Sequence, residues 1–313
     1  MRNVLVVGGA GYIGGAVTDA LLKKKNSRIR VYDKLLYDES YRKPVDFVYG
    51  DILDPARLKP HLRWADTVIW LAGIVGDGAC RLDEILTIEV NQKIVQWLSR
   101  NFKGRIIFTS TCSVYGAQKD AYLDENSPLE PLSLYAVTKL RSEGYLKDKN
   151  ALVLRLGTVF GVSDEYARLR MDLVVNTMTV RACETNRITV FGGDQYRPLI
   201  HVKDIGRLIA DQTAGRARGI YNLSSFNMTM IDLARRIHRH FPKTQIIQDE
   251  MILQDNRDYR VSTKKIERDL RYKPRYTLDE GILELAGIIH SRRIKNYNNP
   301  RYHNAMFLKE TLK

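Results

Sequence analysis

Val4-Leu5-Val6-Val7-Gly8-Gly9-Ala10-Gly11-Tyr12-Ile13-Gly14 carries four apolar residues straight into a glycine cluster near the start of the chain. An apolar run ending in glycines that open a helix is the sequence of a tight strand-to-helix turn that receives a dinucleotide. The spacing Gly9-x-Gly11-x-x-Gly14 fits the general pattern. The overlapping Gly8-x-x-Gly11-x-x-Gly14 fits one branch of it. One missing Cβ permits the backbone angles of the turn. A second lets a pyrophosphate approach the main chain, and a third lets the helix pack close to the strand. The phosphates then meet N–H groups at the positive end of a helix dipole.

Outward from this turn, Arg28-Ile29-Arg30-Val31-Tyr32 reads as a second strand with Asp33 at its end. An acid there accepts hydrogen bonds from the adenosine ribose hydroxyls and repels a 2′-phosphate, so the expected cofactor is NAD and not NADP. The neighbouring Lys34 works against that preference.

Strand-like and helix-like segments then alternate. Strands are expected at 47–49, 67–71, 105–108 and 151–155, and helices over 82–100 and 134–147. The fold class is therefore α/β, a Rossmann-type doubly wound parallel sheet. Residues 1–165 form the NAD-binding part, with return segments from 188–222. Residues 166–313 form most of a smaller C-terminal α/β substrate lobe. Within it, helices are expected over 171–184, 202–213, 230–241 and 278–291. The polar tail from 296 to 313 reads as a docking extension or a loose end.

Composition narrows the class. The 313 residues suffice for a large core, and 44% hydrophobic content is ordinary for a globular chain. No apolar stretch is long enough to span a bilayer, and the N-terminus lacks a signal-peptide layout. Three cysteines, few and odd in number, point to a reducing cytoplasm and not to a disulfide framework. The net charge of +14 raises the question of nucleic acid. The basic clusters are dispersed, however, and no nucleic-acid motif accompanies them. Solvated faces and attraction for phosphorylated substrates account for the charge.

Ser133-Leu134-Tyr135-Ala136-Val137-Thr138-Lys139 places a tyrosine and a lysine four apart, hence on one helix face. A nearby ammonium favours phenolate, and a phenol is otherwise a poor base at neutral pH. Tyr135 then takes a proton from a sugar hydroxyl, and Lys139 also bonds the nicotinamide ribose. Upstream, Thr109-Ser110-Thr111-Cys112-Ser113-Val114-Tyr115-Gly116 puts a hydroxyl-rich loop after a strand. Thr111 there is placed to hydrogen-bond the reacting oxygen.

Together these pieces resemble an extended short-chain dehydrogenase/reductase of the NAD-dependent epimerase/dehydratase family acting on nucleotide-linked sugars. The resemblance runs on through Leu71-Ala72-Gly73, Asn91, Arg155, Phe160-Gly161 and Arg197-Pro-Leu-Ile-His201-Val-Lys-Asp204. It implies that Asp51 and Ile52 flank the adenine and that Leu71, Ala72 and Gly73 line the cofactor cleft. Asn91 would sit in the helix behind the site. Substrate contacts would come from Ser113, from Asn176 near the sugar nucleotide's diphosphate, and from Arg197 and Arg257 as its clamp. No metal, nucleic acid or membrane is implied. The assembly implied is a homodimer, in some relatives a tetramer, through helices that include the Tyr135 helix.

Departures from the family bear on the reaction. In its 4,6-dehydratases an Asp-Glu pair follows the catalytic threonine, whereas this chain has Cys112-Ser113. In 3,5-epimerase relatives a cysteine lies two places after the hydroxyl residue; here it lies one place after. Cys112 then points away from the site and is a packed thiol. What remains is oxidation at sugar C4. The expected activity is a nucleotide-sugar epimerase of surface-polysaccharide biosynthesis, with a C4 dehydrogenase or 4-ketoreductase as the alternative and a non-catalytic NAD-binding scaffold as the remote one. The segment 168–176, with Arg257-Asp258-Tyr259, resembles a subgroup some of whose members act on GDP- or CDP-linked deoxysugars and heptoses. This favours such substrates over UDP-galactose.

Overall fold

The computed structural model describes residues 1–38, 40–249 and 257–311, with the backbone alone at 119–121. Asp255 and Asn256, which precede Arg257, lie outside the described residues. The first half contains β1 (Arg2–Val7), α1 (Tyr12–Lys24), β2 (Ser27–Asp33), β3 (Asp46–Tyr49), α2 (Pro55–Trp64), β4 (Thr67–Trp70), α3 (Asp77–Cys80), α4 (Glu84–Ile88), α5 (Ile94–Asn101), β5 (Arg105–Thr111), β6 (Ala117–Leu123), α6 (Leu134–Leu146) and β7 (Ala151–Leu156). The second contains β8 (Thr158–Phe160), α7 (Val174–Thr185), β9 (Arg187–Phe191), β10 (Tyr196–His201), α8 (Val202–Gln212), β11 (Gly219–Leu223), β12 (Phe226–Thr229), α9 (Met230–His240), β13 (Gln245–Asp249), β14 (Asp258–Val261), α10 (Lys264–Leu270), α11 (Leu278–His290) and α12 (Asn304–Thr311).

Seven strands form one sheet in the order β11-β7-β5-β4-β1-β2-β3, with every neighbouring pair parallel. Parallel strands need crossovers, and the crossover helices cover both faces. The central strands are accordingly buried throughout, as at Thr67–Trp70 and Arg105–Thr111. Alternate residues feed opposite cores. Leu5, Val7, Trp70 and Phe108 pack on one side with Leu58 and Leu98. Val4, Val6, Ile69 and Ile107 pack on the other with Val17 and Ile205. Strand order reverses between β1 and β4, which opens a crevice at their C-terminal ends.

The remaining strands build small sheets of the second lobe: β12-β10-β8, β13-β9 and β14-β6. Their core gathers Phe160, Val175, Ile188, Leu199, Leu233 and Ile282. The expected return stretch 188–222 therefore needs correction. Only 202–223 rejoins the large sheet, through α8 against α1 and β11 against β7, while β9 pairs with β13 in the smaller lobe.

Two expected helices also differ. The helix expected over 82–100 starts at Glu84, where the Asp83 carboxylate caps it by accepting from Leu86 N at 2.9 Å, and it runs on to Asn101. A π-helical turn at Glu89–Lys93 follows before α5. The helix expected from 171 begins at Val174, because Asp172 is drawn into a two-pronged ion pair with Arg170. No helix among the described residues is long and apolar enough to cross a membrane. The three cysteines are free thiols, with Cys80 and Cys112 buried.

Candidate active site

The glycine turn shows why its residues lack side chains. Gly8 has φ +82°, and a Cβ there would lie 2.5 Å from Ala72 N on the neighbouring strand end. A Cβ on Gly14 would lie 2.5 Å from Gly9 O, so the helix could not sit so close to the turn. Gly11 precedes α1 and offers no capping side chain. The first-turn N–H groups therefore stay available for an anion. They face a cavity of about 600 Å³ whose wall includes Gly8, Gly11, Tyr12, Ile13, Gly14 and Leu71.

A smaller cavity of about 170 Å³ continues from it and is lined by Asp33, Asp51, Ile52, Ala72 and Gly73. The Asp33 carboxylate accepts from Ala10 N at 3.0 Å and Leu35 N at 2.8 Å. Burial raises its pKa, and these two amides hold it down in opposition. Lys34 binds Asp51 at 3.0 Å and is thereby held beside the adenosine end. An uncapped helix start, a cradle too tight for a Cβ and an acid at the end of β2 together fit NAD.

The hydroxyl, phenol and ammonium groups meet in the larger cavity. Thr111 ends β5, and Ser133 starts α6 by accepting from Ala136 N at 3.3 Å. That start puts Tyr135 and Lys139 one turn apart, both on the cavity wall with Thr111. Lys139 donates to Thr109 O at 3.0 Å and lies 4.7 Å from the Phe108 ring centre. Burial lowers its pKa to about 8. The Tyr135 phenol moves upward, contrary to the expectation from spacing. Burial is the main cause; Cys80 and Asp77 add to it, and Arg170 and Arg257 oppose it. Desolvation of the phenolate outweighs the cations around it.

The loop after Thr111 extends the site. Thr111 Oγ1 donates to Ser113 Oγ at 3.1 Å, and Arg257 Nη1 donates to the same oxygen at 3.1 Å. Arg197 Nη1 donates to the Arg257 backbone oxygen and lines the cavity with it. Cys112 is turned inward: its thiol donates to Arg155 O at 3.2 Å, and burial holds it well above the usual thiol range. Ser113 and both arginines thus share one wall, and Cys112 is packed as expected.

Asn91 sits in the π turn. Its amide accepts from Ile74 N and donates to Ile74 O, both at 2.8 Å, fixing the loop after β4 from behind. Asn176 is not among the residues that line the larger cavity. Its amide is fully buried, accepting from Gly161 N at 3.0 Å and donating to Arg170 O at 2.8 Å. The amide thus ties the backbone at Gly161 to the backbone at Arg170.

Several cavity residues had no role in the sequence reading. Arg168, Arg170 and Arg181 add three cations to the wall. The Arg-x-Arg spacing at 168–170 was a usable signal, since alternate residues of an extended segment face one way. Asp77 also lines the cavity, with Oδ1 buried and unpartnered and Oδ2 3.8 Å from Arg257 Nη1. Nothing in its local sequence marks it. Asn304 and Leu308, from the tail, line the larger and smaller cavities respectively.

Comparison with known proteins places this arrangement. Residues 4–224 match the profile of the NAD dependent epimerase/dehydratase family. A dTDP-glucose 4,6-dehydratase of Streptomyces niveus is 26% identical over 322 residues, spanning 90% of this chain and 91% of that protein. The structure of a UDP-glucose 4-epimerase of Thermotoga maritima with UDP-glucose superposes with a TM-score of 0.81 at 20% identity, covering 93% of this chain and 100% of that one. A UDP-glucuronic acid 4-epimerase of Bacillus cereus, bound to UDP-glucuronic acid and NAD, gives 0.79 at 23% identity, covering 92% and 99%. These two likenesses show the shared fold, and the family match spans the whole coenzyme-binding half. The chain is accordingly an enzyme of the NAD-dependent epimerase/dehydratase family, an extended short-chain dehydrogenase/reductase whose cofactor is NAD.

Proposed function

We propose that this enzyme oxidises and re-reduces C4 of a nucleotide-diphosphate sugar, acting as a C4 epimerase. One observation carries the reading. A single cavity is bounded by the glycine turn on one side, by Thr111, Tyr135 and Lys139 at its centre, and by Ser113, Arg197 and Arg257 beyond. Bound along Gly8–Gly14 and Asp33, NAD would supply a hydride acceptor for the alcohol carbon and a hydride donor for the ketone.

The chain's own residues do the rest. The Tyr135 oxygen takes the proton from the C4 hydroxyl and later returns it. Lys139 stabilises negative charge on that oxygen, and Thr111 holds the reacting oxygen by a hydrogen bond. Arg197 and Arg257 suit the two negative charges of a diphosphate. Asp77 supplies an acceptor for a sugar hydroxyl, satisfying its unpartnered Oδ1. Positions 112 and 113 hold no carboxylate, so the acid and base for losing water from C5 and C6 are missing there.

The active form in this reading is a homodimer joined through α6 and its neighbours. The 168–176 segment leans the substrate away from UDP-galactose, and the nucleotide base is what the panel below identifies. The test is incubation with a panel of nucleotide sugars, following NADH absorbance and product stereochemistry. A C4 epimer without net NADH is the expected result. Net NADH would assign a dehydrogenase, and a 4-keto-6-deoxy product would overturn the reading.

A further inference from the structure

We propose that the C-terminal segment 300–311 is part of the coenzyme site: Leu308 walls the adenosine pocket, and the segment must release before NAD can enter or leave. The position of Leu308 carries this. It is 1% exposed and packs with Tyr32, Ile52 and Val90, the apolar residues around the adenosine end. It also lines the same pocket as Asp33 and Asp51. A leucine there offers an apolar face to an adenine ring, replacing water on that side.

The segment is tied to both banks of the crevice. On the bank that follows β2, Arg301 pairs with Asp38, and Phe307 packs on Tyr37 with ring centres 5.1 Å apart. On the bank that follows β4, Asn304 Nδ2 donates to Val75 O at 2.9 Å. Arg168 stands between the two cavities, 3.8 Å over the Tyr37 ring, and donates to Arg301 O at 2.8 Å and to Asn304 Oδ1. A dinucleotide held between Asp33 and Lys139 would occupy the cavities that Arg168, Asn304 and Leu308 line.

The attachment is also of a releasable kind. An isolated helix as short as α12 is marginal in water and stands only on its contacts. Those contacts are mainly polar and at the rim, with Leu308 the one apolar side chain of α12 that is fully buried. Such elements open at a cost well below global unfolding. Bound adenine adds apolar contact to Leu308, so coenzyme and strap hold each other in place.

The experiment compares the full chain, a chain ending at Asn299, and the double variant Arg301→Ala/Asn304→Ala. Rates of NADH release are measured by fluorescence after displacement with excess NAD, with circular dichroism confirming the fold. Release from the shortened chain is expected to be about tenfold faster or more, and from the double variant several-fold faster. Amides of 304–311 in the full chain are expected to exchange hydrogen more slowly once NAD is added. Wild-type release from a folded shortened chain would overturn the proposal, as would amide exchange indifferent to NAD. If the shortened chain does not fold, unchanged release from the double variant overturns it equally. These readouts do not depend on which sugar reacts, so they stand apart from the epimerase assignment.

Discussion

The Arg257 guanidinium donates to the Ser113 hydroxyl at 3.1 Å, joining β14 to the loop that carries Thr111. Ser113 Oγ accepts from both Arg257 and Thr111, so its own proton remains to be donated, and Tyr259 OH lies 3.5 Å away. A cation from the second lobe thus sets the hydroxyl array of the first. With Arg257 in its proposed place on the diphosphate, Arg257→Ala is expected to raise KM for the nucleotide sugar about 10- to 100-fold. NAD affinity should stay within about twofold. Steady-state kinetics and coenzyme titration check this; an unchanged KM would remove Arg257 from the substrate site.

Tyr135→Phe deletes only the phenolic oxygen. Turnover is expected to fall by about 10²- to 10⁴-fold, the usual contribution of a positioned acid or base. NAD binding should survive, because the glycine turn and Asp33 are untouched. Since burial raises the phenol, the wild-type rate of alcohol oxidation should increase with pH across the neutral range. A mutant as fast as wild type would eliminate Tyr135 as the proton carrier.

Lys139 connects function to stability. The residue is 3% exposed, and its pKa falls from 10.5 to about 8 on burial. A cation whose folded pKa is depressed costs stability while it is charged in both states, which is the case below about pH 8. As pH rises from about 8 towards 10.5 the folded chain loses that proton first, and the cost is relieved. Lys139→Met is therefore expected to abolish turnover yet raise stability near pH 7 by about 1–2 kcal/mol, after the lost bond to Thr109 O is counted. The gain over wild type should shrink above pH 8. Denaturant melts at pH 7 and pH 10 provide the comparison. A mutant less stable at pH 7, or a gain that grows with pH, would contradict this sign.

Asp33→Ala should relax coenzyme choice. The carboxylate lines the smaller cavity, where in the proposed role it would repel a 2′-phosphate and accept ribose hydroxyls. Its loss is expected to weaken NAD by about tenfold while NADP changes little, so the ratio of the two affinities moves towards one. Calorimetry with both dinucleotides reads the ratio, and an unaltered value would strip Asp33 of this role.

The parts of the site that were legible from sequence are those built by local spacing. The Gly8–Gly14 turn, Asp33 at a strand end and the Tyr135/Lys139 pair depend on neighbours within one turn or one strand, so the chain writes them directly. Cys112 was legible for the same reason: one residue of offset turns a side chain to the other face. Residues placed by tertiary closure were not legible. Leu308 is only the last of four apolar residues, Ala305 to Leu308, in an otherwise polar tail until that tail crosses a crevice formed by residues more than two hundred positions earlier. Asp77 likewise meets Arg257, far along the chain, only through tertiary closure, with Nη1 3.8 Å from Oδ2. Asn176 was placed by resemblance alone, which gives no sign that its amide bonds Gly161 and Arg170. The upward shift of Tyr135 was hidden too, since spacing reveals a nearby cation but not the desolvation that outweighs it.

The claim that hydride leaves C4 and returns to C4 is tested most directly with a nucleotide sugar deuterated at that carbon. Incubated with the NAD-loaded enzyme and read by NMR, the label is predicted to remain at C4 in both epimers, with none at other carbons and no net NADH. Deuterium appearing at C6, or washed out to solvent without epimer formation, would contradict the account.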